Sequence, residues 1–153
     1  MRLTGRKSFI TGAAKGIGLS VARALAAEGA AVALADISEE ESKKQSLEIK
    51  ETYGVDAIGV KCDVGDTISV QNAIKETSEA FNGLDTIACM AATLTERLDV
   101  VDLPEDEWNR TLNVNLTGSF LVCKHGIPFL REAGGGSIIL TASQMGQVAW
   151  PGS

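Results

Sequence analysis

Three glycines near the start of the chain separate an apolar run from a helix-like segment. The run ends at Thr11 and has the composition of a buried strand, and Gly12, Gly16 and Gly18 follow it. Glycine adopts the positive φ angle of a tight strand-to-helix turn and lets the backbone approach a ligand closely. The first N–H groups of the next helix would point at such a ligand and attract an anion. The spacing therefore predicts a pyrophosphate-binding turn.

An acidic residue ends the next apolar run. Ala31–Ala35 leads to Asp36, eighteen residues after Gly18, close to the offset of roughly 20 at which an acid meets the adenosine ribose. Its carboxylate would accept hydrogen bonds from the ribose hydroxyls and repel a 2′-phosphate, which favours NAD over NADP. Lys15 in the glycine turn partly offsets that repulsion, and Ile17 contributes its backbone and packing. The alternative for the three glycines is a turn with close helix-to-strand packing. The alternative for Asp36 is an acidic residue at the start of a helix.

An alternation of strands and helices must position these residues. The apolar runs predict strands at 8–11, 31–35, 57–62, 84–92 and 137–142, with helices between them. Nearly continuous apolar runs are typical of a parallel sheet covered on both faces, joined by right-handed crossovers. We therefore expect a Rossmann-type α/β fold, a doubly wound parallel sheet flanked by helices, as a single domain over residues 1–153.

Helix boundaries are signalled by local sequence. Ser38 and Glu41 fit a capping box at the start of the second helix. Asp66 is expected to cap the third helix. Pro104, followed by three acidic residues, predicts the start of a long helix that continues to about Arg131.

Five residues of reactive or ligand-binding type fall at or just after the ends of predicted strands. They are Gly12, Asp36, Asp63, Ala91 and Ser143. In an open parallel sheet, ligands bind beyond the carboxyl ends of the strands, near the switch in strand order. We expect these residues to converge on one site.

The spacing Thr-Gly-x-x-x-Gly-x-Gly from Thr11 to Gly18 resembles that of the short-chain dehydrogenase/reductase family, and the resemblance runs the length of the chain. It implies an NAD(P)-dependent oxidoreductase that interconverts a secondary alcohol and a carbonyl compound. It also implies that Asp63 and Val64 contact the adenine ring. On residue chemistry alone, Asp63 could equally be a turn or capping aspartate.

The resemblance also implies two catalytic residues. Asn115, in the segment NVNLTG, matches the position whose side chain or main chain holds a water of a proton relay. The alternative is an amide that satisfies a local helix kink, which is also the interpretation of Asn113. Ser143 matches the serine that hydrogen-bonds the reacting oxygen. The family's Tyr-x-x-x-Lys pair does not occur between Ser143 and Ser153, so we expect the sequence to be cut before it, with the sheet incomplete on that side.

The chain departs from the family at the end of the fourth strand. Cys89, Met90, Ala91 and Ala92 stand where the family usually carries Asn-Asn-Ala-Gly. Met90 cannot make the amide hydrogen bonds with which the family's asparagine ties the sheet together. Ala92 adds a methyl group where the backbone passes close to the cofactor. Either the neighbourhood is repacked or the position of the nicotinamide is altered.

Composition excludes several other classes. A net charge of −6 argues against nucleic acid or an anionic membrane as the main partner. No apolar run approaches the roughly 18 residues of a membrane span, and no signal peptide precedes the first strand, so we expect a cytoplasmic protein. Cys62, Cys89 and Cys123 suggest neither a disulfide framework nor a zinc site. The sole histidine, His125, has no catalytic or metal-binding partners in the predicted fold.

Two other functions remain as alternatives. One is a non-catalytic dinucleotide-binding module, because the 153 residues lack the catalytic tyrosine and lysine pair. The other is a methyltransferase, against which the spacing led by Thr11, the segment NVNLTG and Ser143 all count.

The family resemblance also implies a homo-oligomer, a dimer or tetramer, in which the long helix pairs with that of another copy. A partly apolar substrate wall is predicted from Gln144, Met145, Val148 and Trp150.

Overall fold

The computed structural model of the chain describes residues 1–95 and 97–148. Its strands are β1 (Lys7–Thr11), β2 (Ala31–Asp36), β3 (Ala57–Lys61), β4 (Thr86–Cys89) and β5 (Ser137–Leu140). Its helices are α1 (Gly16–Ala27), α2 (Glu39–Tyr53), α3 (Thr67–Phe81), α4 (Glu105–Leu112) and α5 (Gly118–Glu132). A π-helical segment (Asn113–Thr117) joins α4 to α5, and a 3₁₀ turn (Gln144–Gly146) follows β5.

All described strand pairs are parallel, and the sheet order is β3-β2-β1-β4-β5. The chain therefore builds outward from β1 to β3, then returns to the other side of β1 for β4 and β5. The strand order switches between β1 and β4, which is where ligands bind in such sheets. The prediction of a doubly wound Rossmann-type sheet is confirmed.

Successive side chains of β1 enter different apolar layers. Phe9 packs with residues of α3 and α5, whereas Ile10 packs with residues of α1 and α2. Both side chains are 0% exposed, so the sheet is covered on both faces at its centre. The period-two alternation of a strand thus explains why an unbroken apolar run is needed here.

β4 and β5 are shorter than predicted, ending at Cys89 and Leu140. The reason lies at β4, where the N–H groups of Met90 and Ala91 donate to the Thr11 hydroxyl oxygen at 3.0 and 3.1 Å. Because these donors are used by a side chain, the ladder with the neighbouring strands cannot continue. The apolar run in the sequence therefore continues beyond the end of the strand.

The predicted long helix is not continuous α-helix. Its middle forms the π segment, where the N–H of Gly118 donates to the carbonyl of Asn113, five residues earlier. A Cβ atom at Gly118 would lie 2.8 Å from Val64 Cγ2, so glycine allows the helix to lie close against the loop after β3. Pro128 lies within α5 and does not end it, since the helix continues to Glu132.

The two predicted helix caps have different outcomes. Asp66 accepts a hydrogen bond from the Ser69 N–H at 2.6 Å and caps α3 as predicted. The prediction of a capping box at the start of α2 is wrong, because the Ser38 side chain makes no capping hydrogen bond. Glu41 instead accepts from Gln45 Nε2 at 2.9 Å. The hydrogen bond from Gln45 thus replaces the one that Glu41 would make in a capping box.

Close packing of α2 on β3 makes Gly59 sensitive to substitution. A Cβ atom there would overlap the backbone of Ser42 and come within 2.6 Å of Lys43 Cα. We expect Gly59→Ala to lower the free energy of unfolding by about 2 kcal/mol, measured by urea denaturation. Gly146→Ala is the control, because a Cβ atom at Gly146 meets nothing within 4 Å. Equal stability of the two variants would contradict the packing described.

Candidate functional site

A cavity of about 610 Å³ opens at the carboxyl ends of the strands, beside the switch between β1 and β4. Eight of the nine residues predicted to bind the cofactor line it. They are Gly12, Lys15, Ile17, Gly18, Asp36, Asp63, Val64 and Ala91. Gly16 is not among the lining residues. The structure thus brings most of the predicted binding residues together, and their contact with a cofactor stays a prediction.

The glycine turn is shaped by close backbone contacts. Gly12 has a φ angle of +63°, and a Cβ atom there would lie 2.7 Å from Ala91 Cα. A Cβ atom at Gly18 would overlap the carbonyl group of Gly12. Neither position accepts a side chain without moving backbone, so the turn keeps this shape only because both residues are glycine.

The N-terminus of α1 faces this turn with unused hydrogen-bond donors. Lys15 is the N-cap residue, and its side chain makes no capping hydrogen bond within the described part of the chain. The first N–H groups of α1 and the positive end of its dipole are therefore available to an anion. This arrangement fits the pyrophosphate of a dinucleotide.

Asp36 joins the end of β2 to the glycine turn. Its Oδ2 accepts a hydrogen bond from the Ala14 N–H, and its Oδ1 accepts one from the Ser38 N–H, both at 3.1 Å. These contacts hold the carboxylate in one orientation at the cavity wall. Each carboxylate oxygen keeps a second acceptor site, so Asp36 can still accept hydrogen bonds from ribose hydroxyl groups.

Asp63 and Val64 occupy the loop after β3. Asp63 Oδ1 accepts from the Gly65 N–H at 2.9 Å, while its own N–H donates to Ser69 Oγ at 2.9 Å. Val64 is 6% exposed and lies close against Gly118 at the start of α5. The Asp63 side chain therefore serves as a turn residue, as the alternative interpretation proposed, and it also lines the cavity.

Hydroxyl groups tie the end of β4, where the sequence lacks asparagine. Besides the two N–H groups held by Thr11, Thr141 Oγ1 lies 2.9 Å from the Cys89 carbonyl oxygen and 3.0 Å from Met90 Sδ. Thr141 is thus bound to β4 just beyond the end of β5. These hydroxyl contacts hold the end of β4 without an asparagine side chain, and the choice between the two expected consequences of the Cys-Met-Ala-Ala sequence stays a prediction.

A family model described as Enoyl-(Acyl carrier protein) reductase matches residues 12–153. The chain belongs to the short-chain dehydrogenase/reductase family. D-threitol dehydrogenase of Mycolicibacterium smegmatis is 36% identical to it, over 97% of this chain and 56% of that protein. The 2-dehydro-3-deoxy-L-rhamnonate dehydrogenase (NAD(+)) of a Sphingomonas species is 33% identical, over 98% of this chain and 58% of that protein.

A solved structure supports the same family. It is a crystal structure from Sinorhizobium meliloti 1021, provisionally classed as a short-chain alcohol dehydrogenase, with 30% identity and a TM-score of 0.91. The match covers 97% of this chain and 58% of that one. The first curated relatives are likewise matched over only 54% to 60% of their own length. The fold of the described residues is therefore that of a family member.

The two catalytic residues that the family resemblance implies lie outside the set lining the cavity. Asn115 bonds to the backbone of Thr93, with Oδ1 2.8 Å from the N–H nitrogen and Nδ2 2.9 Å from the carbonyl oxygen. Ser143 is exposed, and its Oγ accepts from the Met145 N–H at 3.2 Å. Their catalytic roles stay predictions. Trp150, predicted for the substrate wall, lies outside the described residues.

Sequence reasoning missed several residues that line the cavity. They are Ile37, Cys62, Met90, Thr93, Arg110, Asn113 and Val114, whereas Ala92, which was expected close to the cofactor, also lines the cavity. Proximity in sequence could have indicated Ile37, which follows Asp36, and Val114, which precedes Asn115. Nothing in the sequence indicates Arg110, because its approach to the loop after β4 depends on how α4 is placed.

No metal centre accompanies this cavity in residues 1–95 and 97–148, which contain no group of three or more potential ligands. The same residues include no helix that is long and apolar enough to span a membrane. The ionisable groups of note are the thiols. Burial raises the pKa of Cys62 to about 12, with a smaller effect from the Asp63 charge. Burial likewise raises the pKa of Cys89 to about 12.

These raised pKa values predict the reactivity of the three cysteines. At pH 8 we expect iodoacetamide to label Cys123, which is partly exposed, well before the buried and protonated Cys62 and Cys89. Above about pH 9 the thiols of the unfolded chain ionise while the buried thiols stay protonated, so this contribution destabilises the fold as pH rises. Peptide mass spectrometry measures the order of labelling. Labelling of Cys62 as fast as Cys123 would contradict it.

Proposed function

We propose that this chain forms the NAD-binding part of an oxidoreductase that interconverts a secondary alcohol and a carbonyl compound. The observation that carries the proposal is the single cavity that joins the glycine turn, the uncapped end of α1 and Asp36. Its similarity to dehydrogenases, among them D-threitol dehydrogenase, supports this reaction class. A small-molecule alcohol or carbonyl compound is then the substrate, and neither nucleic acid nor a membrane is a partner.

The donors and acceptors of the cavity fit a dinucleotide. The N–H groups at the start of α1 would hold the pyrophosphate, and Gly12 and Gly18 allow the close backbone packing that gives the turn its shape. Val64, Ile37 and Val114 supply an apolar setting for the adenine ring. When bound, the cofactor accepts or donates the hydride at its nicotinamide ring, and the protein positions it.

Asp36 favours NAD over NADP on electrostatic grounds. Both of its oxygens are already oriented by backbone donors, so the carboxylate cannot easily turn away from a 2′-phosphate. Two like charges about 4 Å apart repel by roughly 1 kcal/mol in water and by more near a protein surface. Lys15 lines the same cavity and offsets part of this repulsion. The name of one relative includes NAD(+), which supports the same preference.

Ser143 and Asn115 are proposed as the catalytic residues. The Ser143 oxygen accepts one hydrogen bond, and within the described residues its own proton is not donated to any acceptor. That proton can be donated to the oxygen of a substrate. The carboxamide of Asn115 is occupied by Thr93, so a relay water would have to be held by its main chain.

The binding module remains the second candidate. The sole tyrosine, Tyr53, lies on α2 and packs against the apolar layer formed with α1, not at the cavity. The described residues therefore supply binding groups but no tyrosine base. A turnover assay with this chain, NAD and a panel of secondary alcohols separates the two functions, because sustained NADH formation excludes an inert module.

The cofactor assignment predicts a preference in binding. We expect NADH to bind at least about tenfold more tightly than NADPH, and Asp36→Ala to remove most of this difference. Asp36→Asn is the control for orientation, because an amide oxygen can still accept one of the backbone hydrogen bonds. Isothermal titration calorimetry measures the dissociation constants. Unchanged NADH binding in Asp36→Ala would rule out the assigned role.

We also propose that the chain self-associates through α4, the π segment and α5. Large apolar side chains recur every four residues along them and stay exposed. They are Trp108 (54%), Leu112 (37%), Leu116 (65%) and Phe120 (58%). A stripe of this kind can pack against the same stripe of a second copy related by a two-fold axis. The occupant we assign to this surface is therefore another copy of the chain, in a dimer or tetramer.

The stripe predicts the effect of charged substitutions on oligomeric state. We expect Leu116→Glu and Phe120→Glu each to shift the chain towards monomer in analytical ultracentrifugation, because a desolvated carboxylate opposes association. Leu47→Glu on α2 is the matched control, since Leu47 is 61% exposed and lies away from the stripe. If the unsubstituted chain is monomeric at all concentrations tested, the stripe is not a self-association surface.

A further inference from the structure

The loop after β4 forms one wall of the cavity. Ala91, Ala92 and Thr93 all line it. β4 lies on the opposite side of β1 from β2, which carries Asp36, so this wall faces away from the adenosine side of the cavity. A dinucleotide binds across the switch point. The position of the wall therefore sets the space left for the nicotinamide half.

Helical residues hold this loop at Thr93. Asn115 bonds to the backbone N–H and carbonyl groups of Thr93. The Thr93 hydroxyl oxygen accepts a further hydrogen bond from Arg110 Nη1. Thr93 is consequently joined to the helical segment by both its backbone and its side chain, and Arg110 makes the side-chain contact.

Arg110 is itself held in place by an acidic neighbour. Glu107 accepts hydrogen bonds from Arg110 Nη2 at 2.6 Å and from Nε at 3.3 Å. The contact with Glu107 raises the pKa of Arg110. A two-point contact of this kind fixes the plane of the guanidinium group, which leaves Nη1 directed at Thr93. The order of contacts is therefore Glu107, Arg110, Thr93 and the cavity wall.

The wall needs this support because of its own sequence. Met90 has no side-chain amide, and Ala92 carries a methyl group at a position that lines the cavity. Thr11 fixes the first part of the loop through the N–H groups of Met90 and Ala91. The far end depends on the contacts made at Thr93. Arg110, which also lines the cavity, thus supports together with Asn115 the part of the wall that Thr11 does not reach.

Building on the proposed function, we propose that Arg110 is a positioning residue for the nicotinamide half of the dinucleotide, acting through the Thr93 hydroxyl. It is not a catalytic residue, because it acts on the loop and not on the reacting atoms. Loss of the contact lets the wall move, which weakens binding of the nicotinamide half. The adenosine and pyrophosphate groups, held by Asp36 and the glycine turn, keep their contacts.

The test compares NADH with ADP, which lacks the nicotinamide half. Arg110→Met and Thr93→Val each remove the hydrogen bond from one side, and both keep an apolar stem of similar size. We expect each to weaken NADH binding roughly fivefold and to change ADP binding by less than about twofold, measured by calorimetry on the full chain. The double variant should be no weaker than the single variants, because all three lack the same contact.

Two control variants separate positioning from general effects. Thr93→Ser keeps the hydroxyl group and should retain NADH affinity. Arg131→Met removes the same charge at the exposed end of α5 and should leave both ligands unaffected. Unchanged NADH binding in Arg110→Met, or equal weakening of ADP and NADH, overturns the inference. If the unsubstituted chain binds neither ligand, the proposed function fails and the inference fails with it.

Discussion

The junction between the ends of β1 and β4 is the contact on which the rest of the site depends. The Thr11 hydroxyl accepts two backbone N–H groups from the loop after β4, while Gly12 passes against Ala91 without room for a side chain. These contacts end the ladder between the two strands and turn their chains apart. The cavity opens where they separate, and α1 begins with its N–H groups facing it. One buried hydroxyl and one glycine thereby couple strand pairing to the formation of the cavity.

The sequence predicted most strongly those features that depend on local backbone chemistry. The positive φ of Gly12, the cap at Asp66 and the five strands follow from residue types and short-range periodicity, and the structure contains all of them. The failures concern competition between neighbours. At α2, Glu41 pairs with Gln45 and Ser38 makes no side-chain cap. Two local partners were available, and sequence alone does not rank them.

A second group of features could not be predicted from the sequence, because these features arise from packing between elements. The π segment depends on a hydrogen bond from Gly118 to Asn113 and on the fit of Gly118 against Val64. That fit requires the loop after β3 and the helix to meet, and they are about 50 residues apart. Arg110 enters the cavity wall for the same reason. The residues near each strand end were therefore predictable, whereas those delivered by helix placement were not.

The two sides of the cavity are built on different principles. On the side of β2, Asp36 and the glycine turn belong to consecutive elements around β1, so short-range connections keep them in register. On the opposite side, the loop after β4 is held at one end by Thr11. At its other end, Arg110 of α4 and Asn115 of the π segment bond to Thr93. Hydrogen bonds at exposed positions contribute little individually, so this wall is held by the number of its contacts more than by their strength. We expect a single substitution there to shift the wall without unfolding the sheet, because the sheet is covered by apolar layers on both faces. The fold can therefore accept substitutions at Met90 and Ala92 that alter the side of the cavity formed by the loop after β4. The side formed by the glycine turn keeps its shape.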